Sequence, residues 1–99
     1  MKKIYISGKV TGLPKGRVKK KFKDAEEWLR LEGFIPVNPT VMEDNPGLDY
    51  EDYMHVCLAM LDVCDAIYML PDWGDSPGAR RELKHAELEG KEIMWGAEE

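Results

Sequence analysis

Five consecutive apolar residues, Ala66-Ile67-Tyr68-Met69-Leu70, stand between Asp65 and the Pro71-Asp72 pair. The run is too short for a core helix, and no polar residue alternates within it to face water. A strand covered on both faces fits that pattern, and such strands occur in parallel sheets clothed by helices. The rest of the chain must then supply helices between strands, and its periodicities do so.

KIYIS (3–7) alternates Ile4 and Ile6 against Tyr5 and Ser7 and stops at Gly8, which predicts a first strand; GKVTGLPKG (8–16) is a punctuated loop. Val18, Phe22, Ala25 and Leu29 fall on one face of a helix from about Arg17 to Glu32, with Gly33 as its C-cap. FIPVNP (34–39) predicts a second strand, and residues 40–49 a polar loop with a turn at Asn45-Pro46-Gly47. A second helix is expected from Asp49 to Val63, with Tyr50, Met54, Cys57, Leu61 and Cys64 in register. A third is expected over 78–89, ending at Gly90, and a last strand over EIMW (92–95). The order β-α-β-α-β-α-β predicts an α/β fold: a Rossmann-like, flavodoxin-like three-layer sandwich with a small four-stranded parallel sheet and right-handed crossovers. Residues 1–99 read as a single domain, without repeat or linker.

Charge is unevenly spread. Residues 1–23 carry nine Lys or Arg and no acid, whereas the remainder carries five basic and nineteen acidic side chains, for a net charge of −5. A positive end can draw in a phosphorylated ligand, but the acidic whole argues against a nucleic-acid partner. No apolar run approaches the roughly 20 residues of a membrane span, and IYIS is too short for the core of a signal peptide, so a cytoplasmic protein is expected. Cys57 and Cys64, seven positions apart, would be about 10 Å apart along one helix, too far for a disulfide. His55 and His85 are isolated, and no metal-ligand spacing occurs; neither a zinc site nor another cofactor is expected.

In such a sheet ligands bind beyond the carboxyl ends of the strands, where strand order reverses. Two loops meet that description, SGKVTG after the first strand and PDWGDSPG after the third. Both lead into helices, whose first N–H groups favour anions. Neither has the spacing of a known phosphate-binding fingerprint. Glu82 is the sharper signal. Ala79, Leu83 and Ala86 form the expected core stripe of the third helix, and Glu82 borders it, facing the cleft. A half-buried carboxylate beside a pocket is the setting that tunes a nucleophile or base.

KKIYISGKVTG, LEGF and CDAIYMLPDWGDSPGARRELKHA together resemble the nucleoside 2-deoxyribosyltransferase superfamily, which includes the 2'-deoxynucleoside 5'-monophosphate N-glycosidases. The resemblance spans nearly the whole chain and is most specific at S-x-G-x-x-x-E after a strand, here Ser76, Gly78 and Glu82. It implies that Glu82 attacks the anomeric carbon of a deoxyribose and that Tyr5 orients it. Ser7, Gly8, Lys9, Asp75, Ser76 and Gly78 would line the substrate side, and Trp73 would stack on the base or serve an interface. Arg80 would add positive charge. Active members carry an aspartate eight residues before the one opening the third strand; counted from Asp65, that place holds Cys57. Asp72 and Asp75 are the neighbouring carboxylates. Three functions follow: an enzyme that cleaves or transfers N-glycosidic bonds of small nucleosides or nucleotides, a nucleotide-binding sensor without turnover, or an interaction protein. Trp73, Met94 and Trp95, hard to bury in 99 residues, point to self-association; the resemblance implies a pocket completed by a neighbouring subunit, and so a homodimer or larger homo-oligomer.

Overall fold

The computed structural model describes residues 1–42 and 45–96; Glu43 and Asp44, inside the expected polar loop, lie outside the described residues. Strands β1 (Lys3–Ser7), β2 (Ile35–Val37), β3 (Ala66–Met69) and β4 (Glu92–Trp95) alternate with helices α1 (Lys15–Leu31), α2 (Tyr50–Asp62) and α3 (Pro77–Leu88). The sheet order is β2-β1-β3-β4, and each pair is parallel. The predicted α/β sandwich is therefore the observed one. Short 3-10 segments at Pro39–Met42 and Pro71–Asp75 were not expected; each begins at a proline after a strand, where the chain cannot continue its ladder.

Alternation along β1 sorts the two faces. Ile4 and Ile6 pack with Val18, Phe22, Ala25 and Leu29 of α1, while Tyr5 joins Cys57 and Leu61 of α2 and Ala79 and Ala86 of α3 on the other side. Helical periodicity had placed the α1 stripe, and all four of its members are buried. α1 opens two residues earlier than expected, at Lys15, with Pro14 as its N-cap, whose carbonyl accepts from the Val18 amide at 3.1 Å. Gly33, at φ +86°, takes the left-handed turn that ends it.

Helix α2 starts with a reciprocal capping box. Asp49 accepts from the Asp52 amide at 2.8 Å, and Asp52 accepts from the Asp49 amide at 3.2 Å. This fixes where α2 begins and so where Tyr50 and Tyr53 stand. Both cysteines are buried and unpaired, as their spacing required. Among the described residues no helix is long and apolar enough to cross a membrane.

Leu29 is fully buried between α1 and the sheet. Leu29→Ala is expected to lower unfolding free energy by about 2–5 kcal/mol, read as a reduced urea midpoint at unchanged denaturant slope.

Candidate active site

Strand order reverses beside β1: the chain passes from β1 to β2 on one side and reaches β3 on the other. At the carboxyl ends of these strands lies a cavity of about 610 Å³, within the range of small-molecule sites. One wall is the loop after β1, with Gly8, Lys9 and Val10. Another is the start of α2, with Asp49, Tyr50, Tyr53 and Met54, and a third is the start of α3, with Asp75, Ser76 and Gly78. Gly8 is required by close approach, since a Cβ there would fall 2.7 Å from Leu70 Cδ1.

Glu82 reaches this cavity from α3. Its position differs in one respect from the expectation. Ala79, Glu82 and Ala86 are the buried residues of α3, with Leu83 only half-buried, so the carboxylate sits within the stripe rather than at its border. The small flanking alanines let α3 lie close to the sheet, which brings the carboxylate onto the strand. There the Tyr5 hydroxyl donates to Glu82 Oε2, and the Ser7 hydroxyl donates to Oε1 at 2.7 Å. Tyr5 and Ser7 are two apart on β1 and project from the same face, so one strand supplies a donor for each carboxylate oxygen.

The electrostatics follow from burial. Glu82 is 6% exposed, and loss of hydration pushes its pKa up to about 7, against the pull of the two hydroxyl donors. Burial also raises Tyr5 well above its usual range, with the Glu82 charge adding to the effect, which keeps the phenol protonated as a donor. The Cys57 thiol interacts with the hydroxyls of Tyr5 and Tyr53 and, chiefly through burial, is raised to about 11. The cluster thus carries at most one negative charge, on Glu82. A fixed carboxylate that ionises near neutrality, at the floor of a cavity, suits nucleophilic attack or proton abstraction.

The other expected site residues divide. Gly8, Lys9, Asp75, Ser76 and Gly78 line the cavity with Tyr5 and Glu82. Ser7 is buried beneath it and contacts the carboxylate. Ser76 also caps α3, its hydroxyl oxygen accepting from the Ala79 amide at 3.1 Å. Trp73 does not line the cavity; its ring meets that of Trp95 at 5.5 Å. Arg80 turns to the Gly74 carbonyl at 3.1 Å. Asp72 ties two elements together, accepting from the Lys9 amide at 3.0 Å and pairing with Lys21 of α1. Cys57 is fully buried behind Tyr5. The α2 wall was missed: Tyr50, Tyr53 and Met54 line the cavity. The tyrosines' i, i+3 spacing just inside the Asp49 cap was the available signal.

A family model described as "Domain of unknown function (DUF4406)" matches residues 2–95. The chain belongs to this family. No curated protein matches it. Among solved structures, this DUF4406 protein is similar to a 2-desoxiribosyltransferase from Leishmania mexicana, with a TM-score of 0.74 and 22% identity over 96% of its own length and 63% of the other chain. It is also similar to a CMP N-glycosidase from Clostridium botulinum, with a TM-score of 0.64 and 21% identity over 95% and 67%. At this identity the likeness is one of fold, and the chain spans about two thirds of each neighbour. The fold expected from the sequence resemblance is thereby shown for this DUF4406 member.

The raised pKa of Glu82 sets a stability signature. The folded protein holds this proton more tightly than the unfolded chain, so its contribution is fully present below about 4.5 and is lost as pH rises through about 7. Glu82→Gln is therefore expected to gain on wild type by on the order of 3 kcal/mol across that window and to run parallel above it. Urea unfolding at stepped pH checks this; a constant difference between the two proteins would refute it.

Proposed function

We propose that this protein cleaves or transfers the N-glycosidic bond of 2'-deoxynucleosides or their monophosphates, with Glu82 as nucleophile. The observation that carries the reading is a buried carboxylate at a cavity floor, each oxygen held by its own hydroxyl donor. The fold neighbours support it, since both of their names denote chemistry at glycosyl bonds.

In this reading one Glu82 oxygen bonds to the anomeric carbon as the carbon–nitrogen bond breaks and its electron pair leaves with the base. Water or a second base then attacks the same carbon and frees the carboxylate, as in retaining glycosidases. Tyr5 and Ser7 hold the attacking group, so little orientation is left to arrange during reaction. Lys9, Gly78 and Ser76 take the sugar hydroxyls or phosphate at the start of α3. The base lies toward Tyr50 and Tyr53. Asp75 is the cavity carboxylate left to hydrogen-bond the base, because Asp49 is engaged in its cap, and the leaving nitrogen takes its proton from water.

A second reading, nucleotide binding without turnover, draws on Cys57. It stands where the sequence resemblance implies an aspartate in active members, and it is fully buried. Chromatography of each deoxynucleoside and monophosphate after incubation separates the two. The enzyme releases free base, Glu82→Ala loses at least about a thousandfold, and Tyr5→Phe loses about ten- to a hundredfold. Its rate rises with pH toward a plateau above about 7, as a nucleophile must be ionised. Thermal stabilisation by nucleotides with no base released would leave only the binder.

Self-association extends the proposal. Among the described residues α1 is the one helix packed on its side of the sheet, and Trp28, Tyr68 and Trp95 line a groove of about 650 Å³ there. Trp28 stacks on Tyr68 at 5.4 Å, and Trp95 is 58% exposed. A second copy of the chain covering this face is expected to give a dimer mass in light scattering, reduced to a monomer mass by Trp95→Glu.

A further inference from the structure

Helices α2 and α3 pack side by side and bring together three residues with no part in the cavity. Asp62 is the last residue of α2, whereas His85 and Glu89 are four apart at the end of α3. Their ligand atoms all lie within 4.8 Å of one another, and His85 Nε2 is 2.6 Å from Asp62 Oδ1. We propose that Asp62, His85 and Glu89 form a binding site for a divalent transition metal, zinc above all, that clamps α2 to α3.

Chemistry selects the ion. One imidazole nitrogen with two carboxylate oxygens is a donor set for zinc, which takes both atom types at about 2.0–2.2 Å. Magnesium and calcium prefer oxygen alone. Two carboxylates balance the charge of a dication. Asp62 and Glu89 are exposed, and the His85 side chain is 28% exposed, so the carboxylates have room to rotate the short distance to a common centre. The three ligands leave a fourth position for water.

A lysine lies beside this corner and already meets the backbone oxygens there. The Lys91 ammonium donates to the Asp62 carbonyl at 3.1 Å and to the Cys64 carbonyl at 2.7 Å. The Asp62 carbonyl is the last of α2, where unpaired oxygens and the helix dipole favour cations. Lys91 takes the backbone oxygens, and the metal would replace the proton shared between His85 Nε2 and Asp62 Oδ1, releasing it to solvent; among the described residues Glu89 has no ion-pair partner. The clamp would act on the site indirectly. His85 lies one turn beyond Glu82 on α3, and α2 carries Tyr50 and Tyr53, so tying the helices together holds the cavity walls in place.

The test is zinc titration of the tag-free full chain by calorimetry, with thermal melts alongside. One equivalent of zinc is expected, and at ten times its dissociation constant it multiplies the folding equilibrium constant about elevenfold. That corresponds to a Tm rise on the order of 5–10 °C, with none from magnesium. His85→Gln and Asp62→Asn should each weaken binding at least about tenfold, the worth of roughly 1.4 kcal/mol. His55→Gln and a Cys57→Ser/Cys64→Ser double variant should keep it. Zinc binding that survives His85→Gln and Asp62→Asn in protein with native circular dichroism, or that vanishes with His55 or the cysteines, overturns the proposal, as does no binding at all. Glu89→Gln provides a third ligand variant if either of the first two fails to fold. None of these readouts depends on glycosidic activity.

Discussion

A carboxylate taken out of water must be either neutralised or held by donors, and the arrangement around Glu82 answers that demand. Burial lifts its pKa to about 7, and the hydroxyls of Tyr5 and Ser7 offset part of the lost hydration. The surrounding fold is arranged to allow this. Alanines flank Glu82 so that α3 can lie against the sheet, and Gly8 lets Leu70 close over the end of β1. The Ser76 cap fixes the start of α3 and, with it, the height of the carboxylate. Removing any one of these shifts a group that has no room to move.

The same constraint explains the charge pattern of the cluster. Three ionisable side chains, Tyr5, Cys57 and Glu82, share one buried region, and a second negative charge there would have neither water nor a cation to balance it. Phenol and thiol therefore stay protonated, and their raised pKa values have the same cause as that of Glu82. Cys57 contributes volume and a weak polar contact, where a carboxylate would have added a charge next to Glu82. The bases of residues 1–23 meet the acidic body at defined points, as in the Lys21–Asp72 pair that joins α1 to the loop after β3. Lys9 and Lys15 line the cavity itself.

Local sequence carried the elements because their causes are local. The apolar spacing of Val18, Phe22, Ala25 and Leu29 permits one buried helix face. The unbroken AIYML run permits a strand with both faces covered, and alternation in KIYIS commits Tyr5 and Ser7 to one side. From these came the parallel sheet, the crevice at its carboxyl end and the choice of Glu82. Periodicity was less reliable about side-chain direction: it ranked Leu83 above Glu82 for burial, since hydropathy favours leucine at either position. Packing reversed that order, because the hydroxyls waiting on β1 make a buried carboxylate tolerable.

What remained for tertiary structure was every relation between residues distant in sequence. Seventy-seven positions separate Tyr5 from Glu82, and no spacing rule links them until β1 and α3 pack. Trp73, adjacent to the site in sequence, turns instead to Trp95. Asp72 is drawn to Lys21, and Tyr50 and Tyr53 form a wall only because α2 starts where the Asp49–Asp52 box sets it. His85 looked isolated for the same reason, its companion Asp62 being supplied by another helix. The sequence alone determined which faces would be buried, since burial follows from the periodicity of one segment. Which buried or clustered groups would meet was decided by the packing of segments, because hydrogen bonds and ion pairs depend on distances in space that chain separation does not encode.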